Sequence, residues 1–431
     1  QNTYLNVLGI YTNTTQVDAY RGAGRPEAIY LLERIMDRAA RELKIDPLEL
    51  RRINFIKKDN FPYRSSTGEL IDVGDFDRVL TAAEISADIK GFQRRKKESG
   101  AKGRLRGLGL CYYIESILGD PSEEAKVVFE EDGDVKIFVG TQSNGQGHET
   151  VFAQFLSDQT GIPTEKITVV QGDSDLIPNG GGTGGSRSVT VQNNATLAVV
   201  EKVIQAFSQY LSEKQGVDFE NIGFDDISFR INGSNYSPNV LEVANMACED
   251  QRLDLLTHSA KATLDARSFP NGAHFAEVEI DPDTGFVQVV RYSVVDDFGN
   301  LINPMLAEGQ VHGGVAQGIG QALYEHVVFD EEGQLLTATF MDYGMPRAQD
   351  LPYYKFETEC VPSTANIMGM KGCGEAGTVG ALAAVANAVQ DALWEIGVQQ
   401  VDMPFTSEKI WSMINSGTVS YTHLRAPRDR G

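Results

Sequence analysis

The chain has 431 residues, 41% of them hydrophobic and 23% charged, a globular profile with room for two or three domains and a large core. A formal net charge of -22 disfavours nucleic acid and anionic membrane surfaces as partners, and no apolar run approaches the length of a membrane span. Cys111, Cys248, Cys360 and Cys373 are scattered without a C-x-x-C pair, which excludes a recognisable zinc knuckle or a cysteine-ligated iron–sulfur cluster within this chain. The chain opens at Gln1 inside an expected strand, Tyr4 to Tyr11, which points to a longer parent sequence. Free thiols suit the cytoplasm, unless a missing leader directs export.

From Pro26, the residues Ile29, Leu32, Ile35, Ala39 and Leu43 recur at helical spacing, and Asp46-Pro47 starts a second helix, Leu48 to Phe55. Residues 56–75 are turn-rich, a helix is expected from Phe76 to Ile89, and the basic stretch Arg94 to Arg106 reads as a surface linker. Three hairpins follow: Ala125–Phe129 with Val135–Val139, Phe275–Ile280 with Val287–Val295, and Val327–Phe329 with Leu335–Phe340, each around an acidic, Gly-containing turn. Helices are expected over His148–Thr160, Val189–Gln215, Gly313–Tyr324 and Thr378–Ile396. Hairpins interleaved with helices predict an α+β fold, with mixed sheets and packed helices, and not a doubly wound parallel sheet. The expected division is residues 1–60, a connecting region 61–105, a main domain 106–418, and a basic tail, 419–431, that is non-native or disordered.

Four glycine-rich loops share one design, each beside an expected helix start where free backbone N–H groups can hold an anion. They are Ala19–Pro26, Gly140–His148, Gly180–Ser188 and Lys371–Thr378. The third adds Thr183, Ser186, Ser188 and the cation Arg187, a phosphate cradle that lacks the Lys-Ser/Thr of a P-loop and the spacing of a dinucleotide fingerprint. In the fourth, Glu375 stands among small residues just ahead of a helix. Taken alone it reads as a capping glutamate; facing a bound cofactor it would be an ionised general base. His148-Glu149 is not a zinc-protease motif, because position 152 is Phe, and no G-x-S-x-G elbow occurs. Of the histidines other than His148, His312 lies close in sequence to Gln310 and is expected nearest the site.

Five segments carry a resemblance: Ala19–Ala28, Gly145–Glu149, Gly182–Ser188, Glu308–Gly314 and Lys371–Glu375. In order and spread they resemble the molybdopterin-binding large subunit of the xanthine dehydrogenase and aldehyde oxidase family, on the bacterial branch that includes carbon monoxide dehydrogenase large chains. The resemblance implies an elongated two-domain molybdenum-binding architecture and a molybdopterin cofactor, commonly the cytosine dinucleotide form, whose molybdenum takes no ligand from the protein. It assigns Glu375 as catalytic base, Gln310 as the amide beside the metal, and Arg21 as the loop residue whose backbone approaches it. Cofactor contacts carry over to Gly22, Gly145, Gln146, Gly147, His148, Thr183, Gly184, Gly185, Ser186, Arg187, Ser188, Lys371, Gly372 and Gly374. The implied reaction is hydroxylation of an aldehyde or N-heteroaromatic-type carbon by water. Electrons would leave through separate iron–sulfur and FAD subunits, in a dimer of heterotrimers, since this chain holds neither cofactor.

Departures from the family narrow the substrate. Gly22 stands where copper-containing carbon monoxide dehydrogenases carry cysteine, and Ala23 and Leu110 stand where purine-oxidising members place aromatic pocket residues. Cys111 either lines the same pocket or is an ordinary core cysteine. Two other readings compete: a cofactor-free fragment with no activity of its own, and a dehydrogenase that uses the loops for NAD or FAD. As an isolated piece the chain is expected to be inactive.

Overall fold

A computed structural model describes residues 4–415 of the chain; the tail at 419–431 lies outside the described residues. Helices α1 (Gly24–Leu43) and α2 (Pro47–Asn54) are joined through Lys44, which is left-handed, and Asp46, whose carboxylate caps α2 at the N–H groups of Leu48 (2.8 Å) and Glu49 (3.2 Å). A ribbon of β1 (Tyr63–Arg64) and β2 (Leu70–Ile71) leads to α3 (Phe76–Ser86) and α4 (Phe92–Gly100). Next come β3 (Leu105–Ile114), β4 (Ser122–Phe129), β5 (Val135–Val139), α5 (His148–Thr160), β6 (Ile167–Val170) and α6 (Ser188–Gln215). A second ribbon, β7 (Ile222–Phe224) and β8 (Phe229–Ile231), precedes α7 (Val240–Glu249), which starts with an Asn239/Glu242 capping box. The chain continues through β9 (Thr257–Thr263), β10 (Asn271–Ile280), β11 (Val287–Asp297), α8 (Pro304–Leu323), β12 (Tyr354–Thr358), α9 (Ala376–Trp394) and α10 (Ser407–Asn415).

Two four-stranded sheets organise these elements, with orders β6-β5-β4-β9 and β12-β11-β10-β3. In each, three strands are antiparallel and the outer strand, β6 or β12, runs parallel to its neighbour. Both sheets are built by a strand–strand–helix–strand–helix run: β4-β5-α5-β6-α6 and β10-β11-α8-β12-α9. The fourth strands are exchanged. β3 precedes the first run but pairs with β10, and β9 follows the first run but pairs with β4. The architecture is therefore mixed α+β, as the interleaved hairpins and helices predict.

Helix α9 is buried along nearly its whole length, and its Val379, Leu382, Val385, Val389 and Leu393 are each worth about 1.5–3 kcal/mol on burial. It lies so close to β3 that a Cβ at Gly109 would come 2.0 Å from the Ala384 carbonyl oxygen. Glycine there lets the helix settle on the sheet backbone, and so fixes where α9 begins. Behind the sheet, α3 packs Phe76, Val79 and Leu80 against Leu110, Phe275 and Val295.

Three expectations fail. Tyr4 to Tyr11 forms no strand and its large side chains are exposed, because no neighbouring strand among the described residues offers a ladder. Arg94 to Arg106 is not a surface linker: it spans part of α4 and the start of β3. Arg95 and Arg106 are buried on Glu277, at 3.1 Å (Arg95 Nε–Oε1) and 2.8 Å (Arg106 Nε–Oε2). Charge alone marked that segment as solvated, but paired arginines can be buried. The third hairpin reduces to a single bridge between Phe329 and Leu335.

Candidate active site

Glu375 occupies the N-cap position of α9, yet its side chain bonds none of that helix's N–H groups. The carboxylate is drawn across to two other loops. Oε1 accepts from the Gly22 N–H at 3.0 Å; Oε2 accepts from Ser186 Oγ at 2.6 Å and from Arg25 Nη2. Its own backbone N–H donates to Ser186 Oγ at 3.1 Å, and the side chain keeps 13% of its surface exposed. Glycine at 22 is needed for this approach: its φ is +102°, and a Cβ would meet Pro26 Cγ at 2.5 Å. The capping alternative is thus replaced by a carboxylate held from outside its helix.

Arg21 ties the same loops to α8. Its Nε donates to the Gly374 carbonyl at 2.5 Å, its Nη2 to the carbonyl and Oε1 of Gln310 at 2.9 and 3.0 Å, and its Nη1 to Gln317 Oε1 at 3.1 Å. The Gln310 amide is oriented by that bond, with Oε1 committed to Arg21 and the NH2 end turned elsewhere. Burial lowers the proton affinity of Arg21, opposed by the neighbouring Cys373 and Glu375. Burial also pushes the Cys373 thiol up to about 12, which keeps it neutral. Ala23 follows Gly22 at the N-cap of α1, with φ 52° and partial exposure. His312 points to Glu308 (3.5 Å) and the edge of the Tyr354 ring (5.3 Å), and makes no contact with the Glu375 group.

The remaining loops join through further bonds. Thr183 Oγ1 donates to the Gln142 carbonyl at 2.6 Å, and Gly182 N–H to the Gly140 carbonyl at 3.3 Å. Gln146 Oε1 accepts from the Asn144 N–H, and Gly147 lies against Leu306 on α8. Gly372 is buried on the Ser186 carbonyl, with Gly374 beside the Ser186 hydroxyl. Gly185 packs on the Leu118 carbonyl. The four loops and α8 form one continuous hydrogen-bonded surface.

That surface fits a large polar ligand approached through backbone. Gly145, Gly182 and Gly184 each have an open side, where a Cβ would meet nothing within 4 Å. His148, at the first turn of α5, is buried with Nδ1 unpartnered. Burial lowers its basicity, opposed by Glu149 and Gln171, so it is poised as a neutral ring.

Five predicted residues have other roles. Arg187 is 2% exposed and spends its donors internally: Nε on the Asp120 carbonyl (2.7 Å), Nη1 on Gly182 (2.9 Å), Nη2 on Ser122 (2.9 Å) and Glu123 (2.8 Å). Its charge is matched by Glu123 and it staples the third loop to β4. Lys371 is sealed in an ion pair with Asp297 at 2.5 Å, both side chains fully buried, so it too offers no charge to a ligand. Leu110 and Cys111 lie within β3 on opposite faces of the sheet, in two core clusters, so neither lines a substrate pocket. Ser188 is the buried first residue of α6.

Two residues that sequence reasoning left without a role stand beside Glu375. Arg25 belongs to the quoted first loop and also reaches the Ser116 carbonyl at 2.7 Å. Glu115 ends the apolar run Leu108–Ile114 and is 3% exposed. A lone carboxylate in such a run was the available signal. Burial pushes its carboxyl up to about 8, opposed by Arg25 and reinforced by Glu375.

Two molybdopterin cofactor-binding domain families match the chain, one over residues 1–55 and the other over residues 82–352. The nicotine 6-hydroxylase large subunit of Paenarthrobacter nicotinovorans is 34% identical, over 98% of this chain and 53% of that protein. Quinoline 2-oxidoreductase from Pseudomonas putida 86 superposes with a TM-score of 0.86 at 31% identity, over 93% of this chain and 53% of its own. Carbon monoxide dehydrogenase from Oligotropha carboxidovorans gives 0.85 at 30% identity, over 92% and 52%. The chain spans about half the length of the relatives it matches.

Proposed function

Because the chain belongs to the molybdenum-binding large subunits of the xanthine dehydrogenase family, we propose that it is the base-bearing part of a molybdenum hydroxylase, with Glu375 as the base. The reaction is hydroxylation, with oxygen from water, of an aldehyde or N-heteroaromatic-type carbon. One observation carries this reading: the Glu375 carboxylate is pulled off its own helix cap by donors at Gly22, Arg25 and Ser186. A merely structural cap has no need of that arrangement.

The cofactor, a molybdopterin in the cytosine dinucleotide form, supplies when bound a two-electron acceptor and a polarised oxygen. The chain's own residues do the rest. Gly145, Gln146, Gly147 and His148, with Thr183, Gly184 and Gly185, present backbone and neutral donors to it. Arg21 holds the Gln310 amide in one orientation beside it. Arg25 and the Gly22 N–H hold the Glu375 carboxylate in place, so that Oε1 or Oε2 is aimed to take a proton. Arg187 and Lys371 are paired with Glu123 and Asp297, so they serve that binding through loop shape and not by facing the ligand with their charge.

The nicotine and quinoline named in two relatives support an N-heterocyclic substrate. The absence of room for any side chain at Gly22 argues against a cysteine-based carbon monoxide site. Iron–sulfur and FAD subunits are the proposed electron carriers, and the cytoplasm the proposed compartment. In the full-length complex, Glu375→Gln should keep its molybdenum while dye-linked turnover across a panel of aldehydes and N-heterocycles falls about 100- to 10,000-fold. Turnover at the wild-type rate would remove Glu375 from the mechanism.

A further inference from the structure

The site holds a second carboxyl that the proposed reaction does not use. Glu115 Oε2 lies 3.4 Å from Arg25 Nη1 and has no hydrogen-bond partner, and Oε1 lies 3.4 Å from Ser186 Oγ. Both neighbours are shared with the base. Arg25 Nη2 contacts Glu375 Oε2, and Ser186 Oγ sits 2.6 Å from that same oxygen. Two carboxyls therefore face one guanidinium and one hydroxyl, and in each case the closer contact goes to Glu375. A serine hydroxyl has a single proton to give. Glu115 is left as the buried, poorly partnered member, and two carboxylates in such a place do not both ionise readily.

We infer that Glu115 is a positioning residue for Glu375: as a neutral carboxylic acid in the resting site, it leaves Arg25 and Ser186 to the base and so keeps that carboxylate held in place. The inference rests on the reading of Glu375 given above. Burial pushes the Glu115 carboxyl up to about 8; Arg25 and Ser186 oppose this, while the charges of Glu375 and of Asp296 on β11 add to it. The other titratable groups that face it are Tyr113 on β3, Arg21 ahead of α1 and Cys373 ahead of α9. Below about pH 8 Glu115 is then uncharged and leaves Arg25 to Glu375. Above it the Glu115 charge competes with Glu375 for Arg25.

Infrared pH-difference spectra of the full-length holoenzyme, without substrate, test this. A carboxylic-acid carbonyl band should be present at neutral pH, disappear through about pH 8, and be missing in Glu115→Gln. In Glu375→Gln the band should remain, with its midpoint at least about one unit lower, because the charge that raises it is gone and Arg25 is released. The wild-type and Glu375→Gln titrations stand even if the Glu115 variant does not assemble. No band in the wild type, a band that survives in Glu115→Gln, or an unmoved midpoint in Glu375→Gln would overturn the inference. Wild-type turnover in Glu375→Gln sinks the base assignment, and the inference with it. Lost turnover with an unmoved midpoint sinks the inference alone.

Discussion

Arg187 and Glu375 occupy matching places in the two strand–strand–helix–strand–helix runs, each the last residue before the second helix of its run, α6 or α9. Their fates are opposite. Arg187 turns inward and satisfies its donors on three carbonyls and Glu123, while Glu375 turns outward to accept from two other loops. Each is a charged residue in a glycine-rich loop, so the type of residue does not decide which one serves a ligand. What decides is the partner: Arg187 finds a buried carboxylate on its own sheet, and Glu375 finds Arg25 in the first turn of α1 and the Gly22 N–H just ahead of it. The first unit uses its charge to hold the loop shape, and the second uses its charge at the site.

The comparison can be broken in order of expected effect. Arg187→Gln strands Glu123 as an unpaired buried carboxylate and should cost about 3–5 kcal/mol, read as a lowered denaturation midpoint. A near-neutral result would mean that Arg187 is not a staple. Gly109→Ala probes the seat of α9: overpacking against the Ala384 carbonyl should cost about 1–3 kcal/mol by the same measurement. The smallest effect is a slope. The Glu115 carboxyl has a raised affinity in the folded state, about 8 against an unfolded value of about 4.3. The folded chain binds the extra proton between those values, so this contribution to stability is complete below the lower one and lost as pH rises through the upper one. Melting temperatures of wild type and Glu115→Gln should therefore change relative to each other across that window and run parallel outside it.

Much of the architecture was legible because helical periodicity survives without tertiary information. His148–Thr160 is recovered to the residue, and α6 and α9 to within two residues. β3 was hidden: its Gly107 and Gly109 interrupt the apolar pattern, and the basic stretch before it looks solvated until Glu277 is brought against it from β10. Helix α8 begins nine residues earlier than expected, at an Asn303–Pro304 cap. The loops of the site were visible as glycine-rich segments, and the structure brings Arg21, Gly22, Gln310, Ser186 and Glu375 together. Burial was not visible. Arg187 and Lys371 read as ligand cations because Glu123 and Asp297, which neutralise them, are distant in sequence. Glu115 went unnoticed for the converse reason, since nothing local shows that Arg25 and Ser186 converge on it.

The most direct test of the central claim is turnover per bound molybdenum in the full-length complex, measured in parallel for Glu375→Gln and Arg187→Gln. Glu375→Gln should lose about two to four orders of magnitude per molybdenum with its melting temperature kept. Arg187→Gln should melt earlier and hold less cofactor, yet turn over near the wild-type rate on each molybdenum it keeps. The reverse pattern, with full turnover in Glu375→Gln and its loss in Arg187→Gln, would contradict the assignment of the base to the second unit.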